Sequence, residues 1–248
     1  MMKIFLDVGA HRGQTARAVI APRFAFDQIF CFEPATECKP DIEAVADPRI
    51  KLVPVGLGKE AKKARLFGSG AIGASIFSDK LAKGSSTVRE IQLIKAGGWI
   101  NENIKSGDVV FMKLNCEGSE CDIIDDLVAT GAIAKLYSIM IDFDVRKIPS
   151  LKYREKETRK KLRENGIINV CFCEDVMLGE THEARIHHWL DKTGAFETLP
   201  LSALREKYEK IFRGLSGKRA RFRDLRKSYF FKVMKKKSRV IKAALLPS

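Results

Sequence analysis

The stretch from Lys3 to Thr15 constrains the fold of this chain more than any other feature. It reads KIFLDVGAHRGQT: an apolar, β-prone run ends in Asp7 and continues through Gly9 and Gly13 into a helix-forming segment. Gly9 lets the backbone turn sharply and approach a ligand, and Gly13 lets the helix start close to the strand. The stretch therefore predicts a strand, a tight turn and a helix, the first half of a nucleotide-binding α/β unit.

The spacing of this motif indicates the kind of ligand. A dinucleotide fingerprint has the pattern G-x-G-x-x-G, and its bare helix N-terminus binds a pyrophosphate. Here the pattern is D-x-G-x-x-x-G, and the acid at the strand end repels a pyrophosphate but suits a ligand that carries an ammonium group. S-adenosylmethionine is such a ligand, because its methionyl end has an amino group, a carboxylate and a sulfonium. The structural alternative is an ordinary strand-to-helix turn that happens to hold two glycines.

A second acid, Glu33, supports the nucleotide interpretation. Residues 28–34, QIFCFEP, predict a buried strand that ends in Glu33 and is stopped by Pro34. Such folds hold a ribose at the end of the second strand, where an acid accepts hydrogen bonds from its two hydroxyls. Glu33 lies 26 residues after Asp7, close to the length of a strand-helix-strand unit. A surface acid beside a turn is therefore the less favoured interpretation.

Strands and helices alternate along most of the sequence, which predicts a parallel sheet with right-handed crossovers. The later predicted strands are 50–55, 108–118 including its exit from the core, and 136–142. The predicted helices are 14–20, 37–46, 118–130 and 153–164. The pattern also predicts a short hairpin from 62–67 and 74–77, a helix over 87–95, and two last strands at 167–173 and 184–190. A loop of small residues at 68–75 is predicted to pass near a ligand or to face solvent.

Composition and charge divide the chain into two parts. Its 248 residues are 45% apolar and 31% charged, which is typical of a globular domain. Residues 201–248 hold 16 Lys and Arg against 3 Asp and Glu, so this segment carries +13 of the net charge of +14. We therefore expect a ligand-binding domain at 1–200 and a basic helical extension at 201–248. Because Asp7 interrupts any signal-peptide core and the six cysteines lack metal-site spacing, the predicted location is the cytoplasm, including its membrane surface.

Three motifs carry a resemblance to a known family. They are DVGAHRG at 7–13, FEP at 32–34 and KLNCEG at 113–118. In this order and spacing they resemble the FkbM family of methyltransferases, class I enzymes that use S-adenosylmethionine, over about residues 3–175. The resemblance implies a Rossmann-like α/β fold, with helices on both faces of a mostly parallel seven-stranded sheet whose last strand is antiparallel. It also implies methylation of a hydroxyl, often on a sugar, a lipid-linked glycan or a polyketide.

The resemblance implies roles for residues at matching positions. The residues expected to bind the cofactor are Asp7, Gly9, Ala10, His11, Gly13, Glu33 and Asn115. Lys113, Asn115 and Glu117 are expected near the methyl group and the acceptor, and Glu120 matches a further acid of the pattern. No metal site is predicted. His11 stands where the family usually has Asn, Asn115 replaces an Asp, and Asp142-Phe143-Asp144 stands where the family often has Glu-His.

Methylation of an alcohol needs a base, because a hydroxyl is a poor nucleophile at neutral pH. The predicted catalytic residues are Glu117 and Asp142 as bases, with Lys113 steadying a developing alkoxide or orienting Glu117. A purely structural ion pair between Lys113 and Glu117 is an equal alternative. His182, His187 and His188 are predicted to be structural residues of a late strand pair.

Three other functions stay open at this stage. An RNA methyltransferase is suggested by the basic tail, and a cofactor-binding scaffold without activity is suggested by the Asn at 115. A dehydrogenase is disfavoured by the missing middle glycine. The cations and apolar residues at 218–242 recur at helical spacing. For the first part of the segment this slightly favours a helix that packs its apolar stripe on the sheet and leaves a solvated basic face. For the second part it favours an interfacial helix on an anionic membrane over a nucleic-acid-binding tail.

Overall fold

A parallel sheet organises the chain in the computed structural model, which describes residues 1–80 and 86–195. The strands are β1 (Lys3–Val8), β2 (Gln28–Phe32), β3 (Ile50–Val53), β4 (Gly56–Gly58), β5 (Lys62–Phe67), β6 (Val88–Lys95), β7 (Val109–Leu114), β8 (Ser138–Ile141) and β9 (Val170–Phe172). The α-helices are α1 (Gln14–Val19), α2 (Lys39–Glu43), α3 (Ala96–Asn103), α4 (Glu120–Ala129), α5 (Arg154–Glu164), α6 (Cys173–Val176) and α7 (His182–Thr193). Short 3-10 helices lie at Pro22–Phe24, Thr36–Cys38, Ala132–Lys135 and Asp144–Lys147. Among the described residues, no helix combines the length and hydrophobicity that crossing a bilayer would require.

The strand order of the main sheet is β3-β2-β1-β7-β8-β9, and every neighbouring pair is parallel. This is the doubly wound order of nucleotide-binding folds, in which the chain builds outward on both sides of the first strand. The predicted α/β fold with a mostly parallel sheet is confirmed. Six strands form this sheet within the described residues, and a seventh, antiparallel strand stays a prediction. The predicted extension at 201–248 lies outside the described residues.

Alternation along the strands gives the sheet two buried faces. Ile4, Leu6 and Val8 of β1 pack in one core cluster with residues of α3 and α4, whereas Phe5 packs in the other. Helices α1 and α7 cover this second face, where the rings of Phe5 and Trp189 pack edge to face with their centroids 5.9 Å apart. Successive side chains of a strand therefore face opposite layers of helices, and the same alternation decides which layer each polar residue of the site faces.

A second, three-stranded sheet corrects two of the predictions. Its order is β4-β6-β5, with β5 antiparallel and β4 parallel to β6. The predicted helix at 87–95 is wrong, because this segment is strand β6. Its buried Ile91 and Leu93 alternate with exposed Glu90 and Gln92, and packing on β5 outweighs the helix propensity of Glu, Gln and Lys. The predicted hairpin partner of β5 at 74–77 contributes only the isolated bridge between Phe67 and Ser75.

The predicted strand at 184–190 is also wrong, since this segment lies in helix α7. Thr181 caps the helix by accepting a hydrogen bond from the Ala184 N–H at 3.1 Å. Its buried residues, Ile186, Trp189 and Leu190, recur at steps of three and four residues, the spacing of one helix face. This face packs on α1 and β1, so α7 completes the second layer of helices instead of extending the sheet.

Candidate active site

Four strand ends meet along one edge of the main sheet and form the floor of the site. The residues that follow β1, β7 and β8 each donate a backbone hydrogen bond, 2.9–3.1 Å long, to the last carbonyl of the neighbouring strand. These residues are Gly9, Asn115 and Asp142, and Glu33 follows β2 at the same edge. The structure therefore brings the polar strand ends together at the point where the strand order reverses, which is where such sheets bind ligands.

A cavity of about 340 Å³ lies over this edge. The predicted site residues that line it are Gly9, Ala10, His11, Glu33, Lys113, Asn115 and Glu117. Asp7, Gly13 and Asp142 are not among its lining residues. The opposite wall is apolar and comes mainly from the small sheet, through Leu57, Leu66, Ile91 and Leu93, and from the segment Gly70–Ile76. The cavity thus joins a polar floor to an apolar wall, the usual composition of a small-molecule site.

The turn after β1 is held by its own backbone geometry and by Glu33. Gly9 has a φ of +79°, and a Cβ there would overlap the carbonyl oxygen of Asn115. Glu33 accepts hydrogen bonds from the His11 N–H at 2.7 Å and the Ala35 N–H at 2.9 Å, one on each carboxylate oxygen. Burial raises the pKa of Glu33, and these two N–H groups oppose the rise. Glu33 therefore fixes the turn and also presents its remaining lone pairs to the cavity.

Lys113 pairs with Asp7, in contrast to the predicted pairing with Glu117. Asp7 and Lys113 are direct neighbours in the β1–β7 register, and both side chains point to the α1/α7 face. Their Nζ–Oδ1 distance is 3.0 Å, and the same ammonium donates to the Gly9 carbonyl at 2.7 Å. Asp7 is fully buried, and this burial raises its pKa, while Lys113 opposes the rise. Lys113 therefore holds the turn after β1 through the Gly9 carbonyl.

Glu117 is held by a different segment of the chain. It has a φ of +60°, a left-handed backbone that is uncommon for a residue with a side chain and is often found at functional sites. Its carboxylate forms an ion pair with the buried Lys80, and its carbonyl accepts a hydrogen bond from Ser75 Oγ at 2.6 Å. Because β7 ends at Leu114, the strand alternation that would place Lys113, Asn115 and Glu117 on one face stops there. The three side chains have different partners.

Asn115 and Asp142 form a third pair at the same edge. Asn115 Nδ2 donates to Asp142 Oδ2 at 3.1 Å, and Arg146 lies 3.5 Å from the other oxygen of Asp142. Asn115 lines the cavity, whereas Asp142 is not among its lining residues. In this arrangement Asp142 orients the Asn115 amide, and the base predicted at Asp142 has no direct face on the cavity.

Glu120 shapes the backbone between Asn115 and helix α4. It is fully buried and accepts hydrogen bonds from the N–H groups of Cys116 and Gly118, each at 3.0 Å. Burial raises the pKa of Glu120 to about 7, although both N–H groups lower it. Its contacts are those of a residue that holds the turn in which Glu117 sits.

Three parts of the site were not predicted from the sequence. The apolar wall from the small sheet was missed, because β6 was interpreted as a helix. Lys80 was missed, because its only signal is a charge in an irregular segment. His182 was assigned a structural role, yet it lines the cavity with its Nε2 3.0 Å from Thr15 Oγ1. The helical spacing that follows Thr181 was the available signal for this residue. Of the two alternatives for the 68–75 loop, a position beside a ligand is the one consistent with its contribution to the cavity wall.

The site can bind an organic ligand that is apolar on one side and rich in hydrogen-bond donors on the other. Carboxylates and carbonyls at the strand ends suit hydroxyl and ammonium groups, and the apolar wall suits a planar ring. Within residues 1–80 and 86–195, no three His, Cys, Asp or Glu side chains come together as ligands of a metal ion.

Comparison with solved structures finds a likeness to the crystal structure of the methyltransferase FkbM from Methylobacillus flagellatus KT. The two chains share 17% sequence identity, with a TM-score of 0.37, over 56% of this chain and 32% of that protein. The likeness therefore spans about a third of the length of that methyltransferase. No family model and no curated protein matches the sequence. The site and its motifs are accordingly the basis for assigning a function.

Proposed function

We propose that this chain is an S-adenosylmethionine-dependent methyltransferase that methylates a hydroxyl group. The observation that carries the proposal is the position of the cavity, which lies at the reversal of the strand order and has both Glu33 and the Gly9 turn in its wall. An acid at the end of the second strand suits a ribose. A glycine after the first strand, with no room for a side chain, suits a ligand that approaches the backbone closely.

The residues of the cavity fit this cofactor. Glu33 has lone pairs left for two ribose hydroxyls, and the apolar wall at Leu57, Ile91 and Leu93 suits the adenine ring. The Gly9 turn would hold the methionyl part. When bound, S-adenosylmethionine supplies an electrophilic methyl group.

The chemistry of the chain itself then lies with Glu117. Glu117 lines the cavity, and its carboxylate would take the proton of the acceptor hydroxyl, while Lys80 fixes the carboxylate in place. Asn115, oriented by Asp142, would donate a hydrogen bond to the acceptor. Much of the rate enhancement would come from holding the two reactants in line, because the displacement develops little new charge.

A dinucleotide cofactor fits less well. His11 lines the cavity and occupies the position of the middle glycine of that fingerprint, where the backbone would need to approach a pyrophosphate without a side chain in between. Glu33, which lines the cavity beside the same turn, would repel a pyrophosphate.

For the acceptor we propose a sugar or glycan hydroxyl, including one on a lipid-linked glycan. The basis is the resemblance of the three motifs, together with a basic tail at 218–242 that suits an anionic membrane surface. Co-sedimentation with anionic vesicles, for the intact chain and for a chain ending near 217, tests the tail. If only the intact chain sediments with the vesicles, the result supports membrane docking by the tail. If neither chain sediments with vesicles and the intact chain binds RNA with steep salt dependence, the result favours an RNA acceptor.

Calorimetric titration with S-adenosylmethionine and with NADH tests the cofactor, and only the former is expected to bind. Methyl transfer to a panel of glycans and to RNA then tests the acceptor. Binding of NADH alone would contradict the proposal. Cofactor binding without transfer to either panel would favour the scaffold alternative.

A further inference from the structure

Three basic side chains gather at the end of the cavity nearest helices α1 and α7. Lys113, His11 and His182 all line the cavity there, and they come from β7, from the turn after β1 and from the first residue of α7. The acid that balances this cluster, Asp7, is fully buried and does not line the cavity. The groups that this end presents to a ligand are therefore mainly hydrogen-bond donors.

Each of the three has a nitrogen that a ligand oxygen could contact. Lys113 carries three N–H bonds, and among the described residues it meets two acceptors, the Gly9 carbonyl and Asp7. His11 Nε2 is buried and has no hydrogen-bond partner within the part of the chain that the structure describes. Among the described residues, His182 Nε2 hydrogen-bonds to the Thr15 hydroxyl at 3.0 Å, and this hydroxyl can serve as donor or acceptor. A buried polar atom without a partner is costly, and a bound ligand group would satisfy it.

We infer that Lys113, His11 and His182 form a carboxylate-binding subsite, and that it takes the methionyl carboxylate of the cofactor. This inference rests on the proposed function. A carboxylate has two oxygens that accept several hydrogen bonds, which matches a set of convergent N–H donors around one lysine. Partial burial lowers the pKa of both imidazoles, and Lys113 lowers it further, while hydrogen bonds to Gly70 and Gln14 oppose the fall for His11. A ligand anion would favour the protonated form of each ring, in which both nitrogens donate.

The subsite would make helix α7 part of the cofactor site. The turn after β1 and the end of β2 belong to motifs at the start of the chain, whereas His182 lies far along it and reaches Thr15 by the packing of α7 on α1. Affinity for the carboxylate would then depend on an element that none of the three sequence motifs contains.

Calorimetric titration with S-adenosylmethionine and with its decarboxylated analogue tests the subsite. The analogue keeps the ammonium and the sulfonium and lacks only the carboxylate. The wild-type chain is expected to bind S-adenosylmethionine at least about tenfold more tightly than the analogue. In His182→Ala the affinity for S-adenosylmethionine is expected to fall about tenfold, the loss of one charge-assisted hydrogen bond, with the affinity for the analogue unchanged.

His188→Ala is the matched control. His188 lies on the same helix, hydrogen-bonds to the Val176 carbonyl at 2.7 Å and does not line the cavity, so both ligands should keep the same affinity ratio. His11→Asn is the second variant, because Asn tolerates the left-handed backbone at this position, where φ is +46°. As in His182→Ala, the affinity for S-adenosylmethionine should fall relative to the affinity for the decarboxylated analogue.

Equal weakening of both ligands in His182→Ala and in His11→Asn would overturn the subsite and leave a structural role for these residues. Equal affinity of the wild type for the two ligands would also overturn it, while the proposed function stands. Failure of the wild type to bind either ligand would overturn the proposed function itself.

Discussion

The two ends of the cavity are held in place by different kinds of interaction. At one end, which we call the turn end (Gly9–His11 and Glu33), backbone N–H groups donate to a carboxylate, and a lysine donates to a backbone carbonyl. At the other, which we call the ion-pair end (Asn115–Gly118 with Lys80), side chains hold one another. Lys80 pairs with Glu117, and Asn115 bonds to Asp142.

This difference has consequences for how each end responds to change. Each of these contacts at the turn end joins one side chain, Glu33 or Lys113, to backbone that the paired strands already order, so only one side chain loses rotamer freedom. Side-chain pairs at the ion-pair end cost rotamer entropy and can exchange partners with a ligand. We therefore expect substitutions at the turn end to affect stability and cofactor affinity, and substitutions at the ion-pair end to affect mainly turnover.

The largest effect is expected for Glu117→Gln at the ion-pair end. Gln cannot accept the acceptor proton, so turnover should fall roughly 10²–10⁴-fold, the usual contribution of a general base. The affinity for S-adenosylmethionine should change less than about twofold, because the turn end is untouched. Steady-state turnover and calorimetry measure the two quantities, with the exposed Glu60→Gln as control. A parallel collapse of cofactor affinity would show that Glu117 belongs to the cofactor site.

The next effect is expected for Gly9→Ala at the turn end. A Cβ there would overlap the Asn115 carbonyl, so β1 and β7 would have to separate locally. The free energy of unfolding should fall by about 3 kcal/mol, measured by urea denaturation. Gly13→Ala is the matched control, because its φ of +77° is almost the same but the nearest atoms to its Cβ lie at 3.5 Å. It should cost only the backbone strain, about 1–2 kcal/mol. Equal costs would mean that the close approach of the two strands is unimportant.

A similar or smaller effect is expected for Glu33→Gln. The amide keeps the shape but has only one acceptor oxygen, so one N–H of the turn and one ribose hydroxyl lose their acceptor. The affinity for S-adenosylmethionine should weaken by roughly 1.5–3 kcal/mol, measured calorimetrically. Glu43→Gln, an exposed acid on α2, is the control. Unchanged affinity in Glu33→Gln would remove the ribose assignment.

The smallest effect concerns pH and Glu120, which supports the ion-pair end from below. The pKa of Glu120 in the folded state is about 7, above the ordinary value of 4.5. The stability that this group contributes is therefore fully present below pH 4.5 and is lost as the pH rises through 7. Between pH 5 and pH 7 the wild type should lose about 2 kcal/mol of unfolding free energy relative to Glu120→Gln, which cannot ionise. Urea denaturation at both pH values measures the difference. If the difference in unfolding free energy between the wild type and Glu120→Gln is the same at both pH values, the raised pKa is contradicted.

Much of the fold could be predicted from local patterns. The strands at β1, β2, β3, β7 and β8 and the helices α1, α4 and α5 follow from apolar runs and from turn residues such as Gly131 and Pro34. Segments whose local preference disagrees with their packing could not be predicted. Strand β6 contains helix-forming residues, and helix α7 has a short stretch that resembles a strand. In both, tertiary contacts decided the outcome.

The candidate site divides in the same way. The positions of Gly9, Glu33 and Asn115 could be predicted, since parallel strands place their carboxyl ends along one edge. The side-chain pairings could not be predicted, because several charged residues, among them Lys113, Glu117 and Asp142, belong to the strand ends of the same edge. The pleat of β7 directs Lys113 to Asp7, and the left-handed backbone at Glu117 turns its carboxylate toward Lys80.

The sequence by itself determined a parallel α/β sheet, a glycine turn after the first strand and acids at the strand ends, because strand periodicity and glycine requirements are properties of short segments. Only the tertiary structure decided which charges meet, that a second sheet supplies the apolar wall, and that His182 reaches the cavity. Those features join residues that are distant in the chain, and their positions follow from how helices and sheets pack.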